Sequence, residues 1–77
     1  MTIRIEYMGF FKIDGTPNGS DLQAEAGTTV DALLDRLAVK RDHRKYLVPL
    51  VNRERKTFDH ELQDGDVLFL YFPVGGG

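Results

Sequence analysis

One stretch of the sequence, GTTVDALLDRLAVK at residues 27–40, has the pattern of a single amphipathic helix. Its apolar residues recur at the i, i+3, i+4, i+7 spacing of one helical stripe: Val30, Leu33, Leu34 and Leu37. We expect Thr28 to cap the first turn, supported by the acid Asp31 three residues later. Lys40 and Arg41 are expected to close the helix at the negative end of its dipole. A lone helix with one apolar stripe needs a sheet to cover it.

The N-terminal third of the chain is predicted to form a hairpin of that sheet. Residues 2–8 alternate apolar and polar side chains, which is typical of a strand with one solvent-exposed face. Residues 12–21, KIDGTPNGSD, are rich in the residues that form turns. A second strand over about residues 20–26 should return antiparallel to the first.

Three further extended segments are predicted after the helix. Residues 46–52, YLVPLVN, form a strand in which Pro49 indicates an edge position or a bulge. NRER then makes a turn, and KTFD, residues 56–59, a short extended piece. A tight turn at Asp64-Gly65-Asp66 leads into the last strand, VLFLYF, residues 67–72.

This order of elements predicts an α+β fold in which one helix packs across a mixed sheet of four to five strands. The length of 77 residues suits one domain, near the lower limit for an unaided core. We expect that domain to span residues 1–72 and to be followed by a flexible glycine-rich tail, residues 73–77.

The last strand is apolar at every position from 67 to 72. One helix covers only one face of a sheet, so it does not explain the apolar side chains on the other face of this strand. Either loop residues cover it, or it forms an exposed apolar patch for a partner protein.

Composition excludes several kinds of function. The chain has no cysteine, which removes disulfides, thiolate metal sites and cysteine nucleophiles. It has no run of about 18 apolar residues that could span a membrane. The first ten residues, MTIRIEYMGF, lack the pattern of a signal peptide, so we expect a cytoplasmic protein.

Charge is distributed unevenly along the chain. Residues 36–56 carry a net charge of +6 and the remainder −8. The basic segment is a solvated surface, a docking surface, or a nucleic-acid site with Tyr46 as a stacking residue. Nucleic acid is not expected as a partner, because the sequence pI is about 5.5 and Tyr46 is the only aromatic residue within the basic run.

No constellation of catalytic or metal-binding residues can be argued from the sequence. His43 and His60 have Asp42 and Asp59 beside them, but both pairs lie in polar turn segments with no recognisable metal-ligand spacing. There is no nucleophile–base arrangement and no phosphate-binding loop before a helix. We therefore expect no bound metal and no catalytic residue.

The sequence ends on Gly75, Gly76 and Gly77. Such a segment is a frayed end, or a thin strip of backbone that can enter a narrow tunnel in another protein. The five residues after Phe72 reach at most ~17 Å. A terminal carboxylate is a poor electrophile, so a functional terminus of this kind needs activation, for example as a mixed anhydride with AMP.

Residues 58–77, FDHELQDGDVLFLYFPVGGG, carry a resemblance to a known family. An acid, Leu, Asp-Gly-Asp, an apolar strand, Pro-Val, a small residue and Gly-Gly follow one another as in the ubiquitin-like sulfur carriers of the MoaD/ThiS type. These are the small subunit of molybdopterin synthase and the sulfur carrier of thiamine biosynthesis. The order of the predicted elements extends the resemblance over nearly the whole chain. The resemblance implies a β-grasp fold.

The resemblance also implies a carrier that acts with partner enzymes and is not itself an enzyme. Gly77 would be adenylated by a ubiquitin-activating-like enzyme that uses ATP, and then converted to a thiocarboxylate by a cysteine desulfurase or rhodanese type of sulfur donor. A downstream enzyme of cofactor synthesis would receive the sulfur. The residues that would thread into the partner are Gly76, Gly75, Val74 and Pro73, with Phe72 as the anchor of the tail. The expected docking residues are Phe58, Phe69, Tyr71 and Phe72.

Two questions stay open at the level of sequence. Gly75 is typical of thiamine carriers, whereas Phe58-Asp59-His60 and Pro73-Val74 are more typical of the molybdopterin subunits, so the product is a molybdenum or tungsten cofactor, thiamine thiazole or another sulfur-containing compound. A protein modifier joined to lysines through Gly77 would share the same activation step as a carrier.

Overall fold

The structure is a computed structural model that describes residues 1–8 and 12–72. Within these residues the chain forms five strands and two helices, and the predicted order of strands around the longer helix is confirmed. Their bounds are β1 Thr2–Tyr7, β2 Ser20–Gln23, α1 Val30–Arg36, α2 Arg41–Arg44, β3 Val48–Val51, β4 Glu54–Arg55 and β5 Val67–Tyr71.

The five strands form one sheet in the order β2-β1-β5-β3-β4. The first and last strands, β1 and β5, are parallel neighbours at its centre, whereas the other pairs are antiparallel. The predicted mixed sheet is therefore confirmed. The last strand, β5, lies in the middle of the sheet, between β1 and β3.

The core lies between α1 and the sheet. Ile3 and Ile5 of β1 alternate with polar residues and are fully buried, as the period of two predicts. The helical stripe meets them with three fully buried side chains, Val30, Leu33 and Leu34. Each such side chain stabilises the fold by about 1.5–3 kcal/mol relative to an exposed position.

The bounds of the helix differ from the prediction at both ends. Thr29, not Thr28, is the N-cap, and its hydroxyl accepts a hydrogen bond from Ala32 N at 3.1 Å. At the other end α1 stops at Arg36, because Ala38 takes the left-handed conformation with φ of 60°. Lys40 and Arg41 therefore do not close α1.

A contact distant in sequence explains where α1 begins. Val30 N donates to His60 O at 3.0 Å and Asp31 N donates to Phe58 O at 2.8 Å. These carbonyls satisfy two of the N–H groups that a helix leaves free in its first turn. The segment before β5 thus positions the start of α1, and a local pattern cannot show this.

The structure corrects the predicted positions of β3 and β4. β4 is Glu54–Arg55, not the KTFD segment, and the turn before it is formed by Asn52 and Arg53, with φ of 52° and 72°. β3 lies between β5 and β4, so Pro49 is not on an edge strand of the sheet. Pro49 O accepts from Lys56 N at 3.1 Å, and the nitrogen and carbonyl of one strand residue point to the same side. The missing N–H of Pro49 thus lies on the β4 side and leaves the pairing with β5 intact.

The predicted turn at Asp64-Gly65-Asp66 is confirmed. Gly65 has φ of 87°, and Asp66 N donates to Gln63 O at 3.1 Å. The turn also holds the start of β1, since Gly65 N donates to Thr2 O at 2.8 Å and Thr2 N to Asp64 Oδ1 at 2.7 Å. It therefore joins the two central strands at one end.

Neither helix in residues 1–8 and 12–72 has the length and apolar character needed to cross a membrane. The boundary between the domain, residues 1–72, and the tail, residues 73–77, stays a prediction.

Candidate functional site

The tail residues that the sequence singles out lie outside the described residues: Pro73, Val74, Gly75, Gly76 and Gly77. The described chain ends at Phe72, the residue from which the tail starts. Phe72 is half-buried and packs against the hydrophobic core. Its ring centroid lies 6.2 Å from that of Tyr46, with 53° between the ring planes. The root of the tail is therefore held by an aromatic contact.

β5 presents apolar side chains to both faces of the sheet. Leu68 and Leu70 are fully buried under the helix. Phe69 between them is half-buried, and Tyr71 is 39% exposed on the opposite face. Of the two explanations open for this strand, a partly exposed apolar surface is the one that the structure supports.

A shallow cavity of about 680 Å³ lies on this outer face of the sheet. Phe69 is at its centre and pairs with Leu50 of β3 on one side and with Glu6 of β1 on the other. The lining residues are Glu6, Leu50, Asn52, Arg53, Val67 and Phe69. An apolar floor with one acid and one base at its rim fits a partner's apolar side chain surrounded by polar groups.

The four expected docking residues do not lie on one face. Phe69 and Tyr71 point to the outer face of the sheet, because they alternate with buried Leu68 and Leu70. Phe58 and Phe72, in contrast, are half-buried residues that pack against the core. The outer face and the root of the tail are thus two separate surfaces.

Several basic side chains of the segment 36–56 make ion pairs or hydrogen bonds within the domain. Arg44 has a side chain only 7% exposed and donates to Asp31 Oδ1 and Asp35 Oδ1, both at 2.7 Å. The hydrogen bond from Arg44 holds the pKa of Asp35 below its ordinary value, with the positive charges of Arg41 and Arg44 acting in the same direction.

Other basic side chains of the segment also have intramolecular partners. Arg36 donates to Gln23 O, and Lys56 pairs with Glu54 at 3.3 Å. The exposed bases of the segment whose side chains make neither an ion pair nor a hydrogen bond among the described residues are Lys40, Lys45, Arg53 and Arg55. Because half of the segment's eight basic side chains have intramolecular partners, fewer of them are available to the phosphates of a nucleic acid.

The sequence model of the ThiS family matches residues 10–77. The chain belongs to the ThiS family. This confirms the resemblance that residues 58–77 carry, and the match extends through the glycine tail.

Three solved structures show the same fold as this ThiS-family chain. SAMP1 from Haloferax volcanii has a TM-score of 0.76 at 19% identity, with all of both chains covered. A protein from Pyrococcus furiosus, described provisionally as molybdopterin converting factor subunit 1, has a TM-score of 0.70 at 22% identity, over 95% of this chain and 98% of the other. A complex of subunits 1 and 2 of molybdopterin-converting factor from Helicobacter pylori contains a chain with a TM-score of 0.64 at 22% identity, with all of both chains covered.

These likenesses confirm the β-grasp, ubiquitin-like fold that the resemblance implies. No protein with a curated description matches the sequence.

No group of three or more His, Cys, Asp or Glu side chains within residues 1–8 and 12–72 is placed to hold a metal ion. His43 is exposed at the end of α2, and His60 is half-buried beside the start of α1. The structure does not bring the two histidines into a common site among these residues.

Sequence reasoning missed two features of this region, the buried Arg44 and the contact of Tyr46 with Phe72. A signal for the first was present, because Asp31 and Asp35 are four residues apart and therefore lie on one face of α1. A basic cluster follows this acidic pair after a short connection. No local pattern indicates the second feature, since it joins residues 26 positions apart.

Proposed function

We propose that this chain is a sulfur carrier protein whose functional atoms are those of the C-terminal carboxylate of Gly77. The observation that carries the proposal is the match to the ThiS family, because it covers residues 10–77 and so includes the glycine tail. The absence of cysteine is compatible with it, since a carrier of this kind holds sulfur on its main chain.

The proposed chemistry proceeds in two steps on a partner enzyme. The Gly77 carboxylate attacks the α-phosphorus of ATP, which forms an acyl adenylate and releases pyrophosphate. In the second step the terminal sulfur of a persulfide on a desulfurase or rhodanese type of donor attacks the acyl carbon, and AMP leaves. A thiol of a partner protein then cleaves the S–S bond of the resulting acyl disulfide and is itself oxidised to a disulfide with the donor cysteine. The product is a thiocarboxylate on Gly77. ATP binding and all catalytic groups belong to the partners, so the chain is a substrate and not an enzyme.

The recipient of the sulfur is a cofactor-synthesis enzyme that makes either molybdopterin or tungstopterin, or thiamine thiazole. Likeness to one chain of the Helicobacter pylori complex of subunits 1 and 2 supports a partner protein of this kind. We place the cycle in the cytoplasm, where ATP is available. The activating enzyme docks on the outer face of the sheet around Phe69 and Tyr71, and the tail enters its active site.

Removal of Gly77 tests the assignment of the functional carboxylate. The truncated protein should retain its melting temperature, because Gly77 has no side chain to pack against the core. It should accept no sulfur when incubated with ATP, a sulfur source and the native activating enzyme. Sulfur loading of the truncated protein at the wild-type level would contradict the proposal.

Gly76→Val separates the shape of the tail from its length. The added side chain should collide with the walls of a narrow tunnel, while the terminal carboxylate is still present. We expect normal folding and little or no adenylation, measured by ATP–pyrophosphate exchange. Full activation of Gly76→Val would contradict the proposal that the tail threads through a narrow tunnel. The role of Gly77 would then rest on the truncated protein alone.

A further inference from the structure

Tyr46 is an exposed aromatic residue that is not part of the hydrophobic core. The residue is 54% exposed, more than the other exposed large hydrophobic residues of the described chain, Tyr71 at 39% and Met8 at 36%. An aromatic ring in this position loses much of the free energy that burial would provide. Its contacts with Phe72 and with its neighbour Lys45 suggest another use.

The ring of Tyr46 makes two defined contacts. On one side lies the half-buried ring of Phe72, at a centroid distance of 6.2 Å and in the tilted geometry that aromatic pairs prefer. The ammonium nitrogen of Lys45 lies over the Tyr46 ring, 5.3 Å from its centroid, within the range of a cation–π contact. Both contacts restrict the orientation of an otherwise exposed side chain.

The backbone of Tyr46 is held by buried neighbours. Tyr46 N donates to His43 O at 3.1 Å, and Leu47, which is buried, donates to Arg44 O at 2.9 Å. Arg44 in turn binds Asp31 and Asp35 of α1 and donates to Val39 O at 2.7 Å. These contacts hold the backbone on both sides of Tyr46, and the Tyr46 ring in turn contacts Phe72.

We propose that Tyr46 is a positioning residue for sulfur loading. Its ring, which contacts Lys45 and Phe72, orients Phe72 at the end of β5 and thereby favours productive delivery of the tail to the activating enzyme. This inference rests on the proposed function, since it concerns delivery of Gly77 to an activating enzyme. Tyr46 acts through Phe72 and touches none of the reacting atoms.

Tyr46→Ala and Tyr46→Phe form the test pair. Alanine removes the ring, whereas phenylalanine keeps the ring and its contact with Phe72. Lys40→Ala is the matched control, because Lys40 is exposed directly before α2 and its side chain makes no hydrogen bond or ion pair among the described residues. All three variants should retain the wild-type fold by circular dichroism.

The kinetic measurement is adenylation by the native activating enzyme, with kcat and KM determined separately. For Tyr46→Ala we expect kcat to fall by about three- to tenfold with little change in KM, because the protein docks normally but presents its tail poorly. Tyr46→Phe and Lys40→Ala should match wild type. Wild-type kcat in Tyr46→Ala, or a rise in KM alone, would overturn the proposal; the second result would make Tyr46 a docking contact.

A second measurement needs no enzyme, so it separates failure of this inference from failure of the proposed function. The chain has no cysteine, so Gly75→Cys provides a single site for a nitroxide spin label. We expect the label to broaden amide signals in one region of the domain, and Tyr46→Ala to change that pattern while Tyr46→Phe does not. The same broadening pattern with and without the Tyr46 ring would overturn the positioning role, whatever the enzyme does.

Discussion

Arg44 shows how this small domain accommodates a buried charge. Its two terminal nitrogens bind Asp31, Asp35 and the carbonyl of Val39, all at 2.7 Å. Only its Nε is buried without a hydrogen-bond partner among the described residues. The planar guanidinium can reach three acceptors at once, which a lysine ammonium cannot do with the same fixed geometry. The charge therefore fixes α2 against α1.

Replacement of Arg44 by methionine should lower the free energy of unfolding by about 1–3 kcal/mol. The apolar side chain cannot form the three hydrogen bonds of 2.7 Å, but Asp31 and Asp35 remain partly exposed and can be hydrated. Urea unfolding at neutral pH measures the loss. Arg41→Met is the control, since Arg41 faces the same two acids with a side chain 70% exposed and should cost less than about 1 kcal/mol. Equal losses in both variants would contradict the structural role of Arg44.

The lowered pKa of Asp35 predicts how stability depends on pH. Because the pKa of this carboxyl is lower in the folded than in the unfolded state, its ionised form stabilises the fold above the ordinary Asp pKa of about 3.9. That contribution should be lost as the pH falls through the folded-state pKa. Asp35→Asn should therefore flatten the decrease in the free energy of unfolding below about pH 4. In the Arg44→Met background the same change should have a smaller effect, and an undiminished effect would assign the pKa shift to another cause.

At the level of elements, the end of α1 is set by one residue in an uncommon conformation. Ala38 has φ of 60°, which costs a residue with a side chain about 1 kcal/mol and costs glycine little. Ala38→Gly should raise the free energy of unfolding by about 0.5–1 kcal/mol. Ala32→Gly within α1 should lower it by about the same amount, because Ala32 has the helical conformation. Thermal unfolding of the two variants measures both changes. Destabilisation by Ala38→Gly as well as by Ala32→Gly would contradict the role of Ala38 in ending α1.

The sequence predicts elements well where their pattern is local. The stripe of α1 and the alternation of β1 identify Val30, Leu33 and Ile5 as core residues, and all three are fully buried. The predictions fail where a contact distant in sequence sets the bounds of an element. α1 begins one residue later than predicted because His60 O and Phe58 O bind its first N–H groups. α2 was not predicted, since this four-residue helix depends on the binding of Arg44 to α1.

At the scale of the whole molecule, the parallel pairing of β1 with β5 places β5 at the centre of the sheet. Phe69 and Tyr71 then face outward, while Phe72 turns to the core and to Tyr46. The apolar run 67–72 indicated a surface on both faces, but it could not separate Phe58 and Phe72 from the outer face. For Phe58 that separation depends on the path of the chain between β4 and β5, and for Phe72 on its position directly after β5.

Phe69→Ser tests the outer face as the docking surface. The loss of the central apolar side chain should weaken binding to the activating enzyme by about tenfold or more, measured as Kd by titration calorimetry. Asp21→Ser is the control, because Asp21 lies on the edge strand β2 and outside the cavity. It should leave the Kd within about twofold of wild type, as expected for a peripheral charge. An unchanged Kd in a folded Phe69→Ser protein would move the docking surface elsewhere.

The central claim is that Gly77 carries sulfur, and the intact mass of the protein tests it most directly. The protein is isolated from its native cells, or incubated with ATP, a sulfur source and the native activating enzyme. We predict a mass gain equal to the replacement of one oxygen by sulfur, located in the C-terminal peptide by fragmentation. An unmodified mass, with the enzyme shown to be active on another carrier, would contradict the account, as would a covalent adduct with lysines of other proteins in place of the thiocarboxylate.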